Sequence, residues 1–124
     1  MKQIIIDAIA YALQNGGATF NSQGLISETK GYMVSIIGME ERFQTIKLDT
    51  VLDYVAKNLS ILKSTSNLYV GIWNDDSEWC LDVSAHILDK ESALRVGIIG
   101  EQKAIYDLNT GTDISLPSPQ KLEQ

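Results

Sequence analysis

Cysteine, histidine, proline and long apolar runs are all scarce in this sequence. It contains one cysteine, one histidine and two prolines in 124 residues. A lone Cys80 forms no internal disulfide, which excludes the disulfide-stabilised scaffold of small secreted domains. The apolar N-terminal stretch is interrupted by Asp7 and Gln14, is too short to span a bilayer and is followed by no small-residue cleavage site. We therefore expect a cytoplasmic protein without a membrane segment.

Basic residues are also few. Ten lysines and arginines stand against sixteen aspartates and glutamates, which gives a net charge of −6. Such a charge repels the phosphate backbone, so we expect no direct binding of nucleic acid. The expected partner is instead a protein with a basic surface, because opposite charges steer association.

The length and the apolar content indicate one compact domain. With 124 residues, 44% of them hydrophobic, the chain can bury a core but is too short for two ordinary domains. Helical periodicity predicts helices at 2–15, 49–62 and 89–100, and short turns between extended segments predict antiparallel strand pairs. The predicted fold class is α+β, an antiparallel sheet built from hairpins with about three helices packed on it. We assign the domain to residues 1–116 and a flexible tail to residues 117–124.

Several residues are expected to fix where the helices begin, end and pack. Gly16 stops the first helix, Thr50 with Asp53 resembles a capping box, and Asp89 is an N-cap candidate. Gly97 would let the last helix approach a sheet closely. The apolar residues of the first helix recur at helical spacings: Ile5, Ile6, Ile9, Ala10 and Leu13. Those of the second form one stripe: Val51, Leu52, Val55, Leu59 and Leu62.

One stretch, SNLYVGIWNDDSEWCLDVSAHI at 66–87, contains both tryptophans, the only cysteine and the only histidine. In a strand, alternation places Cys80, Asp82, Ser84 and His86 on one face, opposite Trp79, Leu81, Val83, Ala85 and Ile87. Cys80 and His86 would then lie ~20 Å apart, too far for a catalytic pair or one metal ion. Asp82, Ser84 and His86 lack a glycine-flanked nucleophile motif and an oxyanion pocket. We predict no catalytic residue and a solvent-facing polar strand.

The carboxylates of the same stretch do not match a calcium loop. Counted from Asp75, the sixth residue is Cys80 and the twelfth is His86, where an EF-hand requires glycine and glutamate. We therefore predict no metal and no cofactor, and a solvated turn at the acidic residues.

The hydrophobic pattern predicts the pairing within this stretch. Matching the apolar residues pairs Ile72 with Trp79, Val70 with Leu81 and Leu68 with Val83, and leaves a four-residue loop, NDDS. The opposite face then mixes aromatic and acidic residues. It is either the half-covered back of a sheet or a recognition surface, since tryptophan and tyrosine are favoured interface anchors. The candidate partner-binding residues are Tyr69, Trp73, Asp75, Asp76, Glu78 and Asp82.

The segments GGATFN, GYMVSIIG, YVGIWNDDSEWCLDVS and DKESALRVGIIGEQKAIYDLNTG cover most of residues 16–111. In these segments the chain resembles short acidic proteins of bacteriophages, plasmids and integrative elements of Gram-positive bacteria. The resemblance implies a setting in the cytoplasm of the host cell. It also implies a possible role as an inhibitor of host defence, of the anti-CRISPR or anti-restriction type, and it carries over no active-site residues.

Three functional hypotheses follow. The favoured one is a non-enzymatic binding protein that occupies a basic surface of a host protein and thereby inhibits a defence nuclease. The alternative is a structural or accessory phage or plasmid protein that self-associates through exposed sheet edges. The least favoured is a small enzyme that uses Cys80, Asp82, Ser84 and His86.

Overall fold

The computed structural model describes residues 1–117, and over this range the predicted α+β class is confirmed. The chain forms an antiparallel sheet of eight strands together with four helices. The helices are α1 (Lys2–Asn15), α2 (Leu48–Lys57), the single turn α3 (Leu59–Leu62) and α4 (Lys90–Ile99). The strands are β1 (Gly17–Asn21), β2 (Gly24–Leu25), β3 (Tyr32–Ser35), β4 (Glu41–Phe43), β5 (Leu68–Asp75), β6 (Glu78–Ile87), β7 (Ala104–Asp107) and β8 (Thr112–Ser115).

Contacts between residues group the chain into two compact units. The first comprises Met1–Ile26 and Glu40–Val83, and the second comprises Ser27–Met39 and the chain from Ser84 onward. The prediction of a single domain stays a prediction, and the predicted tail lies outside the described residues apart from its first position. No helix within residues 1–117 has the length and apolar character needed to cross a membrane.

In the first unit, α1 follows the predicted boundaries but not the predicted face. The helix ends at Gly16, whose φ of 89° is left-handed and whose N–H donates to the carbonyl of Ala12 at 2.7 Å. Its buried residues are Ile5, Ala8 and Ala12. Of the five apolar residues that recur at helical spacings, only Ile5 is fully buried, and the larger part of that set lies on the exposed side.

The strands of the first unit run in the order β2-β1-β5-β6, and β4 also pairs with β6. Ala18 of β1 lies opposite Ile72 of β5, and Phe43 of β4 lies opposite Trp79 of β6. Because β5 lies between two neighbours, its backbone hydrogen bonds are satisfied on both edges. Residues 68–72 of β5 are buried on both faces of the sheet.

The long second helix predicted at 49–62 is divided in two. Its N-cap is Lys47, which makes no capping hydrogen bond through its side chain, so the predicted capping box at Thr50 is wrong. The break falls at Asn58, whose buried side-chain amide donates to the carbonyl of Tyr54 at 2.9 Å. An asparagine that bonds its own backbone in this way competes with the helical ladder. As a result Leu59 lies in α3 and is exposed, although it was predicted on the buried stripe.

The turn between β5 and β6 is shorter than predicted. The strands extend to Asp75 and Glu78, which leaves only Asp76 and Ser77 between them, and Asp76 adopts a left-handed φ of 57°. The four-residue loop is therefore wrong. A Cβ placed on Gly71 would collide with the carboxylate of Asp82, so these two residues lie very close together. Gly71 and Asp82 therefore lie on the same face of the hairpin, as the alternation of side chains predicts.

The second unit contains the last helix as predicted. Strands run in the order β6-β3-β7-β8. The N-cap of α4 is Asp89, whose carboxylate accepts from the Ser92 N–H at 2.9 Å. A Cβ added to Gly97 would lie 2.8 Å from Ile105, which confirms that glycine permits a close approach of helix and sheet. The small core comprises Tyr32, Val34, Ala93 and Ile105.

Candidate functional site

The six predicted contact residues separate into two groups. Tyr69 and Asp82 are less than a tenth exposed, so the expectation that this face of β6 is solvent-facing is wrong. Asp75 and Asp76 are exposed, and Trp73 is half-buried, as is Glu78. The exposed members therefore lie at the tip of the β5–β6 hairpin, and the buried ones lie nearer its base. A partner can touch the tip directly but not Tyr69 or Asp82.

Asp82, on the buried face of the hairpin, lies among other residues of the first unit. Burial, and then the negative charge of Asp82, raise the pKa of Tyr54 on α2, which shows that phenol and carboxylate lie close enough to interact. Asp82 also lies directly over Gly71, where any larger residue would collide with it. These contacts make Asp82 part of the packed interior of the first unit.

Arg42 organises the tip, although the sequence gives no sign of this role. Its guanidinium donates to Asp75 at 2.8 Å and to Glu40 at 3.1 Å, and it lies 3.8 Å from Glu78. The same group lies 5.7 Å from the centre of the Trp73 ring, within range of a cation–π interaction. The hydrogen bonds to Asp75 and then to Glu40 raise the pKa of Arg42, so the side chain stays charged throughout the physiological range.

We call these five charged residues the tip cluster: Glu40, Arg42, Asp75, Asp76 and Glu78. Four carboxylates and one guanidinium leave it with three net negative charges at neutral pH. The ion pairs are exposed, so each contributes little to stability, but together they restrict where the carboxylates point. The tip cluster is thus a partly ordered acidic surface next to Trp73, with Arg42 over the ring.

A second acidic feature is an open groove of about 350 Å³ between β4 and α2. Glu41 lies in it, and side chains alternate along β4, so the groove and Arg42 are on opposite faces of this strand. Lys57 bonds Glu41 across the groove at 2.8 Å. The lining residues are Glu41, Phe43, Asp49, Thr50, Asp53, Tyr54 and Lys57.

The candidate catalytic residues Cys80, Ser84 and His86 are buried or lie within hydrogen-bonding distance of other residues of the fold. Cys80 is fully buried, and burial raises the pKa of its thiol to about 11, which keeps the thiol protonated at neutral pH. Nε2 of His86 lies 2.7 Å from the carbonyl oxygen of Lys30; since a carbonyl only accepts, that nitrogen carries the proton. The hydroxyl of Ser84 lies 3.5 Å from that of Ser35.

Among residues 1–117, no three or more histidine, cysteine, aspartate or glutamate side chains are grouped so as to hold a metal ion. At the tip, the guanidinium of Arg42 lies between the carboxylates of Asp75 and Glu78.

Comparison with known proteins adds no relative. No family model matches the chain, and searches among curated proteins and among solved structures return no match. The similarity to proteins of mobile elements stays a prediction from the residues quoted above. Any functional argument therefore depends on the geometry of the chain itself.

Arg42 is the functional candidate that sequence reasoning missed. It belongs to β4, a three-residue strand without a clear alternating pattern, and only the pairing of Arg42 with Cys80 brings it to the hairpin. Asp75 is 33 residues away in the sequence, so no local spacing rule connects the two. The acidic character of NDDSE, by contrast, is visible directly in the sequence.

Proposed function

We propose that the chain is a non-enzymatic binding protein that places its tip cluster on a basic surface of another protein. The observation that carries the proposal is the local charge: the carboxylates of Glu40, Asp75 and Glu78 share one arginine at the end of the hairpin, and Asp76 adds a fourth carboxylate at the turn. Such a surface accelerates association with a basic partner and orients it. Trp73 adds the aromatic contact that energetically important interface residues commonly supply.

The tip cluster is also pre-organised. Arg42 holds the carboxylates of Glu40 and Asp75 by direct hydrogen bonds. These side chains are therefore already partly ordered in the free protein, and binding a partner costs less conformational entropy. A basic partner would compete with Arg42 for the same oxygens, or would use those that Arg42 leaves open. Arg42 therefore sets the spacing of the acidic groups without neutralising them.

The class of partner that suits this surface best is a protein that binds nucleic acid. Its groove is lined by lysine and arginine, which normally bind phosphates, and a partly ordered group of carboxylates competes for the same positions. Inhibition of a host defence nuclease, of the CRISPR or restriction type, is the form of this proposal that the resemblance to mobile-element proteins suggests.

The test is a charge reversal with a matched control. The variant D75K/D76K/E78K and the control E91K/E101K/D113K each change the net charge from −6 to 0, the first at the tip and the second on the second unit. Tagged wild-type and variant chains capture proteins from a bacterial lysate, and the captured proteins are quantified by mass spectrometry. We expect a basic protein bound by the wild type and the control but lost by the tip variant.

Two further results decide the proposal. Circular dichroism should show the same fold for all three chains, because each reversed side chain is at least partly exposed. If the tip variant captures the same proteins as the wild type, the tip cluster is not the contact surface. If the control loses them equally, overall charge rather than this surface governs binding, and the proposal fails.

A further inference from the structure

Asn15 and Gly16, where α1 ends, form the only Asn-Gly pair in the sequence. In such a pair the backbone nitrogen of the glycine can attack Cγ of the asparagine side chain, because glycine has no side chain to hinder the approach. A bond forms between that nitrogen and Cγ, the proton of the nitrogen leaves with the amide group as ammonia, and a succinimide ring results. Water then opens the ring to aspartate or isoaspartate. The net change is one water gained and one ammonia lost, so the reaction needs no oxidant and no enzyme.

We infer that Asn15 is a site of spontaneous deamidation whose rate is controlled by the end of α1. Both Asn15 and Gly16 are exposed, so water reaches them. The pair is protected while the last turn of the helix is closed and reacts when that turn opens. No residue of the tip cluster takes part in the reaction, so the inference is independent of the proposed function.

The closed helix end engages both reacting groups. The Gly16 N–H donates to the Ala12 carbonyl at 2.7 Å, and the side-chain amide of Asn15 donates to the Tyr11 carbonyl at 3.0 Å. Attack requires that both hydrogen bonds break and that the Asn15 amide turns toward the Gly16 nitrogen. Both bonds belong to the last turn of α1, and helix ends fray before the rest of the structure opens. Local fraying is therefore enough to start the reaction.

The other five asparagines lack this combination of features. Each is followed by a residue with a side chain, which hinders approach of the backbone nitrogen. These following residues are Ser22, Leu59, Leu68, Asp75 and Thr110. Asn58 is in addition buried. Asn15 should therefore react first, and the remaining asparagines serve as internal controls.

The reaction alters the junction between α1 and the sheet. The carbonyl of Gly16 accepts from the Asn74 N–H at 3.0 Å, and Gly17 lies opposite Trp73 in the pairing of β1 with β5. Isoaspartate adds one methylene to the main chain directly before Gly16, which displaces the Gly16 carbonyl from Asn74. Aspartate places a negative charge at the C-terminal end of a helix, where the helix dipole disfavours it. Either product therefore weakens the connection of α1 to β5.

Peptide mapping by mass spectrometry measures the rate. The full chain is incubated in mildly basic buffer, with and without guanidinium chloride, and the deamidated fraction at each asparagine is followed over time. We expect Asn15 to react first in both solutions. Its rate in buffer should be at least ~10-fold lower than in denaturant, because the helix end must open before the reaction can occur.

Matched glycine substitutions identify the opening that controls the rate. Ala10→Gly weakens α1 at an exposed position five residues before Asn15, and should raise the rate in buffer up to ~5-fold through lost helix propensity. Arg95→Gly makes a similar change at an exposed position of α4, in the second unit, and should leave the rate unchanged. In denaturant all three chains should react at the same rate, since neither helix is formed.

Hydrogen exchange tests the effect on the junction. The isoaspartate form is separated by chromatography from an aged sample, and amide exchange is followed by NMR. The Asn74 N–H should exchange faster than in the unmodified chain, because its acceptor at Gly16 is displaced. The Ala93 N–H, which donates to the Asp89 carbonyl in α4, is the control and should be unaffected.

Four results would overturn the inference. The first is an equal rate at Asn15 in buffer and in denaturant, and the second is another asparagine that reacts before Asn15 in buffer. The third is an equal effect of Ala10→Gly and Arg95→Gly, which would assign control to unfolding of the whole chain. The fourth is unchanged exchange at Asn74 in the isoaspartate form. Capture of a partner by the tip variant has no bearing on any of them.

Discussion

The base and the tip of the β5–β6 hairpin carry the same kinds of residue and differ in exposure. At the base, Asp82 is 6% exposed and lies against Gly71. At the tip, the side chain of Asp75 is 47% exposed and bonds Arg42. The difference shows that position along a strand, rather than residue type, decides whether a carboxylate is part of the packed interior or available to a partner.

The largest expected effect comes from the apolar side of the base. Leu81→Ala removes a fully buried side chain and should lower the free energy of unfolding by ~3 kcal/mol, from lost apolar transfer and the cavity left behind. At the tip, Asp76→Asn should change it by less than ~0.5 kcal/mol, because asparagine tolerates the left-handed backbone there. Urea unfolding measures the free energy of unfolding of both variants. A similar decrease in the two variants would contradict the expected difference between base and tip.

The reactivity of the Cys80 thiol measures how well the base of the hairpin is buried. With a thiol pKa raised by burial to about 11, native Cys80 should react with an alkylating reagent at pH 8 at least ~100-fold more slowly than in the unfolded chain. Since the folded pKa lies above the unfolded one, this group's contribution to stability is complete below about pH 8.5 and is lost as the pH rises toward 11. Equal labelling rates in buffer and in urea would show that the base is open.

The two aspartates give the closest comparison. Asp82→Ala should cost ~2 kcal/mol of unfolding free energy, because the carboxylate is buried and takes part in an interaction within the fold. Asp75→Ala should cost less than ~0.5 kcal/mol, since it removes only an exposed ion pair. Thermal or urea unfolding separates the two, and a larger loss for Asp75→Ala would reverse the assignment of base and tip.

A small effect on stability is expected at Arg42. Arg42→Gln should lower the free energy of unfolding by ~0.5 kcal/mol or less, through loss of exposed ion pairs and a cation–π contact. It should nevertheless change binding, since the carboxylates lose their common anchor while one positive charge is removed. The partner identified by capture is then used to measure affinity at two salt concentrations. Salt screens the effect of the lost charge but not the effect of the lost side-chain order, so the two contributions to affinity can be separated.

Local signals predicted some elements well. Asp89 was identified as an N-cap, and Gly97 as a point of close approach, from residue type and spacing alone. Asn58 shows the limit of such signals. The apolar stripe continued past it and favoured one long helix, whereas a buried side-chain bond to Tyr54 ended α2. A periodic pattern does not reveal which polar side chain turns back on its own backbone.

The candidate site was predictable only in part. The acidic turn and its exposure follow from consecutive aspartates next to a strand. The prediction that Tyr69 and Asp82 share the contact surface assumed that one face of the hairpin is open to solvent. That assumption fails because β5 and β6 are interior strands whose second face is also covered.

Composition, alternation and helical spacing by themselves determined the α+β class, the net charge of −6 and the acidic character of the hairpin tip. These properties depend on residues close together in the chain. Only the tertiary structure decided that Arg42 anchors the tip, that Asp82 is buried and that Ile6 and Leu13 of α1 face outward. Each of these depends on which distant segments pair or pack, and that choice is made by the summed burial of the whole chain rather than by any local pattern.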